Sequence, residues 1–278
     1  MQGKAFRLLR VVAPIALMLT LLLMEQTAAK AGSRHRRLTL VGARTYYMAI
    51  GDSLAFGYQP SLNWINGYSN YFFDNLKSRG VTDYDNYACP GETTITMING
   101  GCPYSYLKKE VYFGPQLKSA INYLHKHVGK VSPVTLDIGA NDVLKDLNIS
   151  NCSISANWAA DLAIVDRNLT QVILPQLVAA MTVNGQFTGD LLLMNYYDPY
   201  QNICPNTVSY VQQLNEHLAT DAAGFATLVD IFTPFGGAVT PDPNTCNYTW
   251  ICSNFKDVHA KDAGYSAMAT AFEQTTGY

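Results

Sequence analysis

A serine in the first quarter of the chain and a histidine near its C-terminal end have the side chains of a nucleophilic site. Ser53 lies in the motif Gly51-Asp52-Ser53-Leu54, and His259 follows Asp257 by two residues. A histidine that is paired with a carboxylate activates a serine hydroxyl by accepting its proton. Taken alone, Ser53 is more simply explained as a helix N-cap, which contributes about 1 kcal/mol. Together, the three side chains are those of a serine nucleophile activated by a histidine–carboxylate pair.

His259 differs from the other four histidines in its predicted surroundings. It lies in a predicted loop just before a helix, with a carboxylate close by in the sequence. His125 and His127 fall on a predicted helix, His217 falls on another, and His35 lies in a basic N-terminal segment. His259 is therefore the predicted general base.

Two further loops contain groups that stabilise a developing oxyanion. Gly91 lies in the loop Cys89-Pro90-Gly91-Glu92, and glycine lets a backbone N–H approach a ligand closely. Asn141 lies in Gly139-Ala140-Asn141-Asp142, and the loss of one such amide donor costs about 3–4 kcal/mol in barrier height. The alternatives are an ordinary turn at Gly91 and an N-cap at Asn141 or Asp142.

The elements that must position these loops follow a strand–helix alternation. The predicted strands are 46–50, 83–88, 134–138, 191–194 and 227–231. The predicted helices are 67–79, 116–128, 156–181, 207–223 and 263–274, and Pro175 should kink or interrupt the third. Such alternation predicts a parallel sheet that is covered on both faces, with its ligand site outside the carboxyl ends of the strands.

The four motifs, in this order and at this spacing, resemble those of the SGNH hydrolases, also called GDSL esterases and lipases. The resemblance runs from about Tyr46 to Ala271. The matching residues are Gly51-Asp52-Ser53, Gly91, Gly139-Ala140-Asn141-Asp142, His259 and Gly264-Tyr265. The resemblance implies a three-layer α/β/α sandwich with a five-stranded, mostly parallel, flavodoxin-like sheet.

The resemblance also implies a role for each matching residue. Ser53 would be the nucleophile and His259 the base. The oxyanion hole would consist of the backbone N–H groups of Ser53 and Gly91 and the side-chain amide of Asn141. Neither a metal nor an organic cofactor is expected.

Two features depart from the family pattern. The family's last block is Asp-x-x-His, but here the acid is one residue closer, and the position three before His259 is Lys256. We favour Asp257 as the acid, and the alternative is a backbone carbonyl near Lys256 that orients the ring of a Ser–His dyad. The loop around Gly91 reads Pro-Gly-Glu-Thr-Thr in place of the more common Asn-x-Gly-x-Ser.

The composition excludes two other classes of protein. Only 14% of the 278 residues are charged and 48% are hydrophobic, which is opposite to the composition of disordered chains. Eight of the 19 basic residues and one of the 21 acidic residues precede Thr45, so the remainder has a formal net charge of −9. Such a chain lacks the basic field that holds nucleic acid.

The N-terminal segment has the pattern of an export signal. Lys4, Arg7 and Arg10 precede an apolar run of 14 residues from Val11 to Met24, and an Ala-x-Ala site ends at Ala31. The run is shorter than the roughly 20 residues of a spanning helix, although an uncleaved anchor is the alternative. We therefore expect a signal peptide over 1–31, a flexible basic arm over 32–44, and a single domain over 45–278 that is secreted without a stable membrane span.

Six cysteines follow this segment, and an even number in an exported chain indicates disulfides. We expect nearest neighbours to pair, although the sequence allows 15 arrangements. The expected pairs are Cys89–Cys102, Cys152–Cys204 and Cys246–Cys252. No zinc-binding spacing is evident, so no metal site is expected.

These features together predict a secreted, monomeric serine esterase or lipase that acts on a small-molecule or lipid ester. Two alternatives remain open at this point. One is a polysaccharide O-deacetylase on the same fold, similar to an acetylxylan esterase. The other is a secreted binding protein that has the fold without the activity.

Overall fold

The computed structural model describes residues 39–278. The expected signal peptide and the first part of the basic arm lie outside the described residues. The last part of that arm is hydrogen-bonded to the rest of the fold, because the Val41 and Gly42 N–H groups donate to the Asp190 carboxylate at 2.6 and 2.8 Å. No helix within the described range is long and apolar enough to cross a membrane.

Short runs of buried residues form the central strands, and two small hairpins lie outside the sheet. The strands are β1 (Tyr46–Gly51), β2 (Asp83–Asn86), β3 (Val131–Asp137), β4 (Leu147–Asn148), β5 (Ser153–Ile154), β6 (Thr182–Val183), β7 (Gln186–Phe187), β8 (Leu191–Met194) and β9 (Thr227–Val229). All seven residues of β3 and all four of β8 are buried, as expected for strands covered on both faces. Strands β4 and β5 form one antiparallel hairpin, and β6 and β7 form the other.

The helices lie between the strands and vary widely in length. They are α1 (Ser53–Phe56), α2 (Tyr68–Leu76), α3 (Thr94–Asn99), α4 (Gln116–Lys126), α5 (Ala140–Val143), α6 (Trp158–Asn168), α7 (Leu174–Ala180), α8 (Thr207–Ala222), α9 (Thr245–Tyr248) and α10 (Asp262–Thr276). A π-helical turn, Leu169–Ile173, joins α6 to α7 immediately before Pro175. Pro175 has no N–H to continue the ladder, which accounts for the break expected there.

The central sheet has five parallel strands in the order β2-β1-β3-β8-β9. This α/β architecture is the one expected from the sequence. Strand β2, which follows β1 in the chain, lies on one side of β1, and β3 lies on the other side. Ligands bind where the strand order reverses in this way. Gly51 at the end of β1 is paired with Asp137 at the end of β3, so the loops that follow both strands emerge side by side at that point.

Stacked aromatic rings join the first long helix to the last. Tyr68 and Phe72 on α2 are fully buried, as is Phe272 on α10. The Tyr68 and Phe272 rings stack with their centroids 5.0 Å apart, and the Phe72 ring lies 5.3 Å from Phe272. Helix α10 begins just after the loop that contains His259, so this packing holds that loop against the N-terminal part of the sheet.

Candidate active site

Ser53 is the first residue of α1, directly after β1. Helix α1 is capped by Asp52, whose carboxylate accepts the Leu54 N–H at 2.9 Å. The capping role that the sequence allowed for Ser53 therefore belongs to its neighbour, and the Ser53 hydroxyl is not used as a cap. The N–H groups in the first turn of a helix have no partner within that helix.

The turn before Ser53 depends on a close approach between two strands. Gly51 has a φ of +137°, and a Cβ at this position would lie 2.2 Å from the backbone oxygen of Asp137. The Asp137 carboxylate accepts the Ala55 N–H at 3.1 Å and the Tyr68 hydroxyl at 2.7 Å. Burial, together with the nearby Asp52 carboxylate, raises the pKa of Asp137 well above its usual range. The two hydrogen bonds to Asp137 hold the backbone just after Ser53 in place.

His259 connects Ser53 to a carboxylate. Its Nε2 atom lies 2.8 Å from Ser53 Oγ, and its Nδ1 atom lies 2.6 Å from Asp257 Oδ1. Burial opposes ionisation of Asp257, but the hydrogen bonds and positive charge available from His259 hold the pKa of this carboxyl below its ordinary value. The ring is thus hydrogen-bonded on both nitrogens, with the serine on one side and the acid on the other.

The short Asp-x-His spacing is accommodated by a local turn. Asp257 Oδ1 also accepts the backbone N–H of His259 at 2.8 Å. This is the hydrogen bond of an Asx turn, in which an aspartate side chain accepts a backbone N–H two residues further along the chain. Lys256, directly before it, has a φ of +49° and turns the chain sharply. The carboxylate therefore folds back over its own loop and reaches Nδ1 from two residues away.

Several backbone and aromatic contacts fix the His259 loop. Thr249 and Ala260 form an antiparallel bridge, and the Trp250 N–H donates to the His259 carbonyl at 3.0 Å. The Tyr197 hydroxyl donates to the Val258 carbonyl at 2.6 Å. The ring of Tyr58 packs against the imidazole with centroids 4.6 Å apart. These contacts restrict the position of the imidazole from three sides.

Asn141 ties the loop after β3 to the loop after β2. Its Nδ2 atom donates to the Glu92 carbonyl at 3.0 Å, which leaves the second amide hydrogen available to a ligand. Gly91 precedes Glu92 and has a φ of +79°. A Cβ there would lie 2.9 Å from Pro103 Cγ, so only glycine fits without movement of that ring. Asn141, Ser53 and His259 line one pocket.

A buried carboxyl lies behind these two loops. Glu92 is 1% exposed, and its Oε2 atom accepts the side-chain N–H of Gln116 at 2.9 Å. Gln116 also exchanges two hydrogen bonds with the backbone of Gly51, at 2.7 and 2.9 Å. Burial raises the pKa of Glu92 to about 7, against the lowering effect of its hydrogen bonds and of Lys108. Glu92 Oε1 has no hydrogen-bond partner among residues 39–278.

The six cysteines form three disulfides, paired as nearest neighbours in the way that the sequence favoured. Within the described part of the chain, one group of potential metal ligands lies close together, namely Cys89, Glu92 and Cys102. The two sulfurs of this group are bonded to each other. They are therefore not the thiolates that a metal would require.

Comparison with known proteins assigns the chain to a family. A model of the GDSL-like lipase/acylhydrolase family matches residues 49–267, which is most of the chain. The protein belongs to this family. It is accordingly a carboxylic ester hydrolase. The matched range includes Ser53, Gly91, Asn141 and His259.

Solved structures share the fold of this GDSL-like hydrolase at low sequence identity. A lipase from a goat rumen metagenome is 17% identical with a TM-score of 0.55, over 85% of this chain and 97% of the other. An acetylxylan esterase from Geobacillus stearothermophilus is 16% identical (TM-score 0.54, 86% and 97%). Phospholipase A1 from Streptomyces albidoflavus is 16% identical (0.51, 84% and 100%). No curated protein matches the sequence.

Some residues of this GDSL-like site had no signal in the sequence. Glu92 and Gln116 lie 24 positions apart, and nothing in their local patterns indicates that they meet beneath Gly51. Tyr58 belongs to none of the motifs identified in the sequence, yet its ring lies against His259. Tyr196 and Tyr197 follow the apolar run of β8, and that position at a strand end was their only clue.

Proposed function

We propose that this hydrolase cleaves carboxylic esters through a covalent acyl-enzyme on Ser53, with His259 as general base and Asp257 as the third member of the triad. The observation that carries the proposal is the continuous hydrogen-bonded chain Ser53 Oγ–His259–Asp257, with distances of 2.8 and 2.6 Å. Both lie within the range in which a base accepts a proton from a nucleophile and is itself oriented by an acid.

The reaction proceeds in two acyl transfers. His259 Nε2 accepts the hydroxyl proton as Ser53 Oγ attacks the ester carbonyl carbon. The tetrahedral intermediate collapses when His259 returns the proton to the alcohol oxygen, which breaks the ester bond and leaves the acyl group on Ser53. A water molecule, deprotonated by His259, then attacks the acyl-enzyme carbonyl. His259 returns that proton to Ser53 Oγ as the bond between Oγ and the acyl group breaks, which releases the carboxylic acid and restores the free enzyme.

Asp257 stabilises the imidazolium that forms in each step. Its depressed pKa keeps the carboxyl ionised at neutral pH, so a negative charge faces Nδ1 when the ring becomes positive. The bond from the His259 backbone N–H to the same oxygen holds the carboxylate in this orientation. These contacts favour the triad over the Ser–His dyad.

The oxyanion is proposed to bind three donors. Two are the backbone N–H groups of Ser53 and Gly91, and the third is the free amide hydrogen of Asn141. The hydrogen bond from Asn141 to the Glu92 carbonyl fixes the direction of that amide before substrate arrives. Donors that are fixed in advance stabilise charge without reorganisation during the reaction.

We also propose that the protein is exported. Three disulfides in one chain are typical of oxidising compartments. The export pattern in residues 1–31 supports the same conclusion.

The direct test is Ser53→Ala, assayed with p-nitrophenyl butyrate and with a fluorophosphonate probe. The variant should lose hydrolysis by several orders of magnitude and should not be labelled, while its circular dichroism spectrum matches that of the wild type. Hydrolysis that survives in a folded Ser53→Ala protein would refute the mechanism. An intact wild-type protein that neither hydrolyses esters nor reacts with the probe would favour the non-catalytic alternative.

A further inference from the structure

We propose that the acyl chain of the substrate binds in an apolar pocket beside Ser53, and that this pocket selects chains of about six carbons over acetyl groups. The inference rests on the proposed function, because it assigns a substrate class to the same site. It also distinguishes the two ester-hydrolase alternatives, since a deacetylase has no use for such a pocket.

The pocket includes the proposed reacting groups, and most of its other lining residues are apolar. Ser53, Asn141 and His259 are among the residues that line it. The remainder of the lining is predominantly hydrocarbon or aromatic. The side chains that matter here are Leu147, Ile154, Trp158, Tyr200, Val211 and Leu214. No lysine or arginine is among the lining residues, so the pocket offers no permanent positive charge to an anionic sugar or a phosphate.

The volume of the pocket limits the length of chain that it can hold. It measures about 160 Å³. An apolar protein cavity of about 150 Å³ binds one benzene molecule, which has six carbons. An acetyl group contributes only a methyl group beyond the carbonyl and would leave most of the space empty. A hexanoyl chain has the size to fill it.

The pocket suits the acyl part of the ester better than the alcohol part. The alcohol must leave before water can attack the acyl-enzyme, so the alcohol side of the carbonyl has to open to solvent. The acyl group stays attached to Ser53 through both steps and benefits from enclosure. Helix α5 contains Asn141 and also contributes Val143 to the pocket lining. A chain bound in the pocket would therefore lie next to a proposed oxyanion donor.

A disulfide anchors the hairpin that contributes two residues to the pocket lining. Leu147 and Ile154 belong to the β4–β5 hairpin, where they are paired across the two strands. Cys152 in this hairpin is bonded to Cys204, and the Asn206 side chain donates to the Cys152 carbonyl at 2.8 Å. The hairpin is therefore tied to the segment that contributes Tyr200 to the pocket lining.

Two isomeric esters separate acyl selection from general hydrophobicity. Ethyl hexanoate and hexyl acetate have the same formula and both release a primary alcohol, but only the first presents a six-carbon acyl chain. Each buried methylene contributes about fourfold, so the four additional methylenes of hexanoate predict a kcat/KM on the order of 100-fold higher for ethyl hexanoate. Equal rates, or a preference for hexyl acetate, would overturn the assignment.

The location of the pocket is tested by filling it. Ile154→Trp should lower kcat/KM for ethyl hexanoate at least about tenfold more than kcat/KM for ethyl acetate, because the longer chain extends further into the pocket. Ser153→Trp is the matched control, since Ser153 is the adjacent, exposed residue of the same hairpin and does not line the pocket. Equal losses on both substrates, or the same effect from Ser153→Trp, would refute the location.

A second variant keeps the test valid if Ile154→Trp does not fold. Ile154→Ala enlarges the pocket and should raise the ratio of ethyl octanoate to ethyl hexanoate hydrolysis, whereas an unchanged ratio would contradict the proposal.

Failure of the proposed function would look different. In that case neither isomer would be hydrolysed in a Ser53-dependent manner, and the fluorophosphonate probe would not label the wild-type protein.

Discussion

The buried Glu92 carboxyl makes the stability of this protein depend on pH in a way that one substitution should remove. Glu92 is enclosed behind the Gly91 and Asn141 loops, with one carboxyl oxygen bonded to Gln116. Its pKa in the folded protein is about 7, against an ordinary value of 4.5. The replacement Glu92→Gln preserves the shape of the side chain and removes the ionisation.

The size and sign of the effect follow from this difference. A rise from 4.5 to about 7 corresponds to about 3 kcal/mol. The pKa is higher in the folded than in the unfolded state, so the stabilising contribution is fully present below about pH 4.5. It is lost as the pH rises through 7, where burial of the charged form opposes folding. The wild type should therefore lose about 3 kcal/mol relative to Glu92→Gln between pH 4.5 and pH 8.

Urea unfolding with the disulfides intact measures this difference directly. The free energies of unfolding of the wild type and of Glu92→Gln are determined at several pH values, and their difference is plotted against pH. Any constant cost of the glutamine cancels in the slope of this plot. Glu216→Gln is the control, because Glu216 lies on the exposed face of α8 and its replacement should leave the curve of the wild type unchanged.

A flat difference between pH 4.5 and pH 8 would refute the reasoning. It would mean that Glu92 ionises in the folded protein as easily as in the unfolded chain, so that the enclosed carboxyl reaches water. A difference with the opposite slope would require a cation to be closer to Glu92 than Lys108 is. Either result would show that burial does not raise the pKa of Glu92.

Asn141→Ala removes the side-chain oxyanion donor and should lower kcat on p-nitrophenyl butyrate by about 100- to 1,000-fold, while a change below about tenfold would exclude Asn141 from the oxyanion hole. Asp257→Asn should cost about 10⁴ in kcat, and a loss below about tenfold would favour orientation of His259 by a backbone carbonyl near Lys256. Tyr68→Phe deletes a hydroxyl that donates to the buried Asp137 and should lower the free energy of unfolding by about 1–3 kcal/mol in urea, so an unchanged urea midpoint would contradict the bonding described beneath the Ser53 turn.

The α/β architecture could be predicted from the sequence because most of its central strands are short, apolar and followed by glycine or a polar turn. The runs that end near Gly51 and Gly139 illustrate this, since each buried strand is followed directly by a loop with a chemically useful side chain. The bounds of the edge strand β2 were harder to predict. The sequence predicted a strand over 83–88, but the strand ends at Asn86, because its polar residues do not mark a boundary.

Parts of the site depend on contacts that no local pattern encodes. The Asx turn that carries Asp257 to His259 looks like a departure from the family motif until the backbone geometry is known. The β4–β5 hairpin has only two residues in each strand, which is too short for an alternation of apolar and polar residues to be recognised. Glu92 is buried and bonded to Gln116, 24 positions away, and sequence spacing does not predict this contact.

The stacking of α10 on α2 bears on when the enzyme becomes active during its synthesis. Ser53 and His259 are separated by 206 positions, and His259 lies in the loop that leads into α10. On the proposed mechanism, a growing chain has its nucleophile early but has no base until the final helix docks against Tyr68 and Phe72. We therefore expect a nascent or C-terminally truncated polypeptide to be inert toward the esters around it, and hydrolysis to begin only once the two ends of the domain have come together.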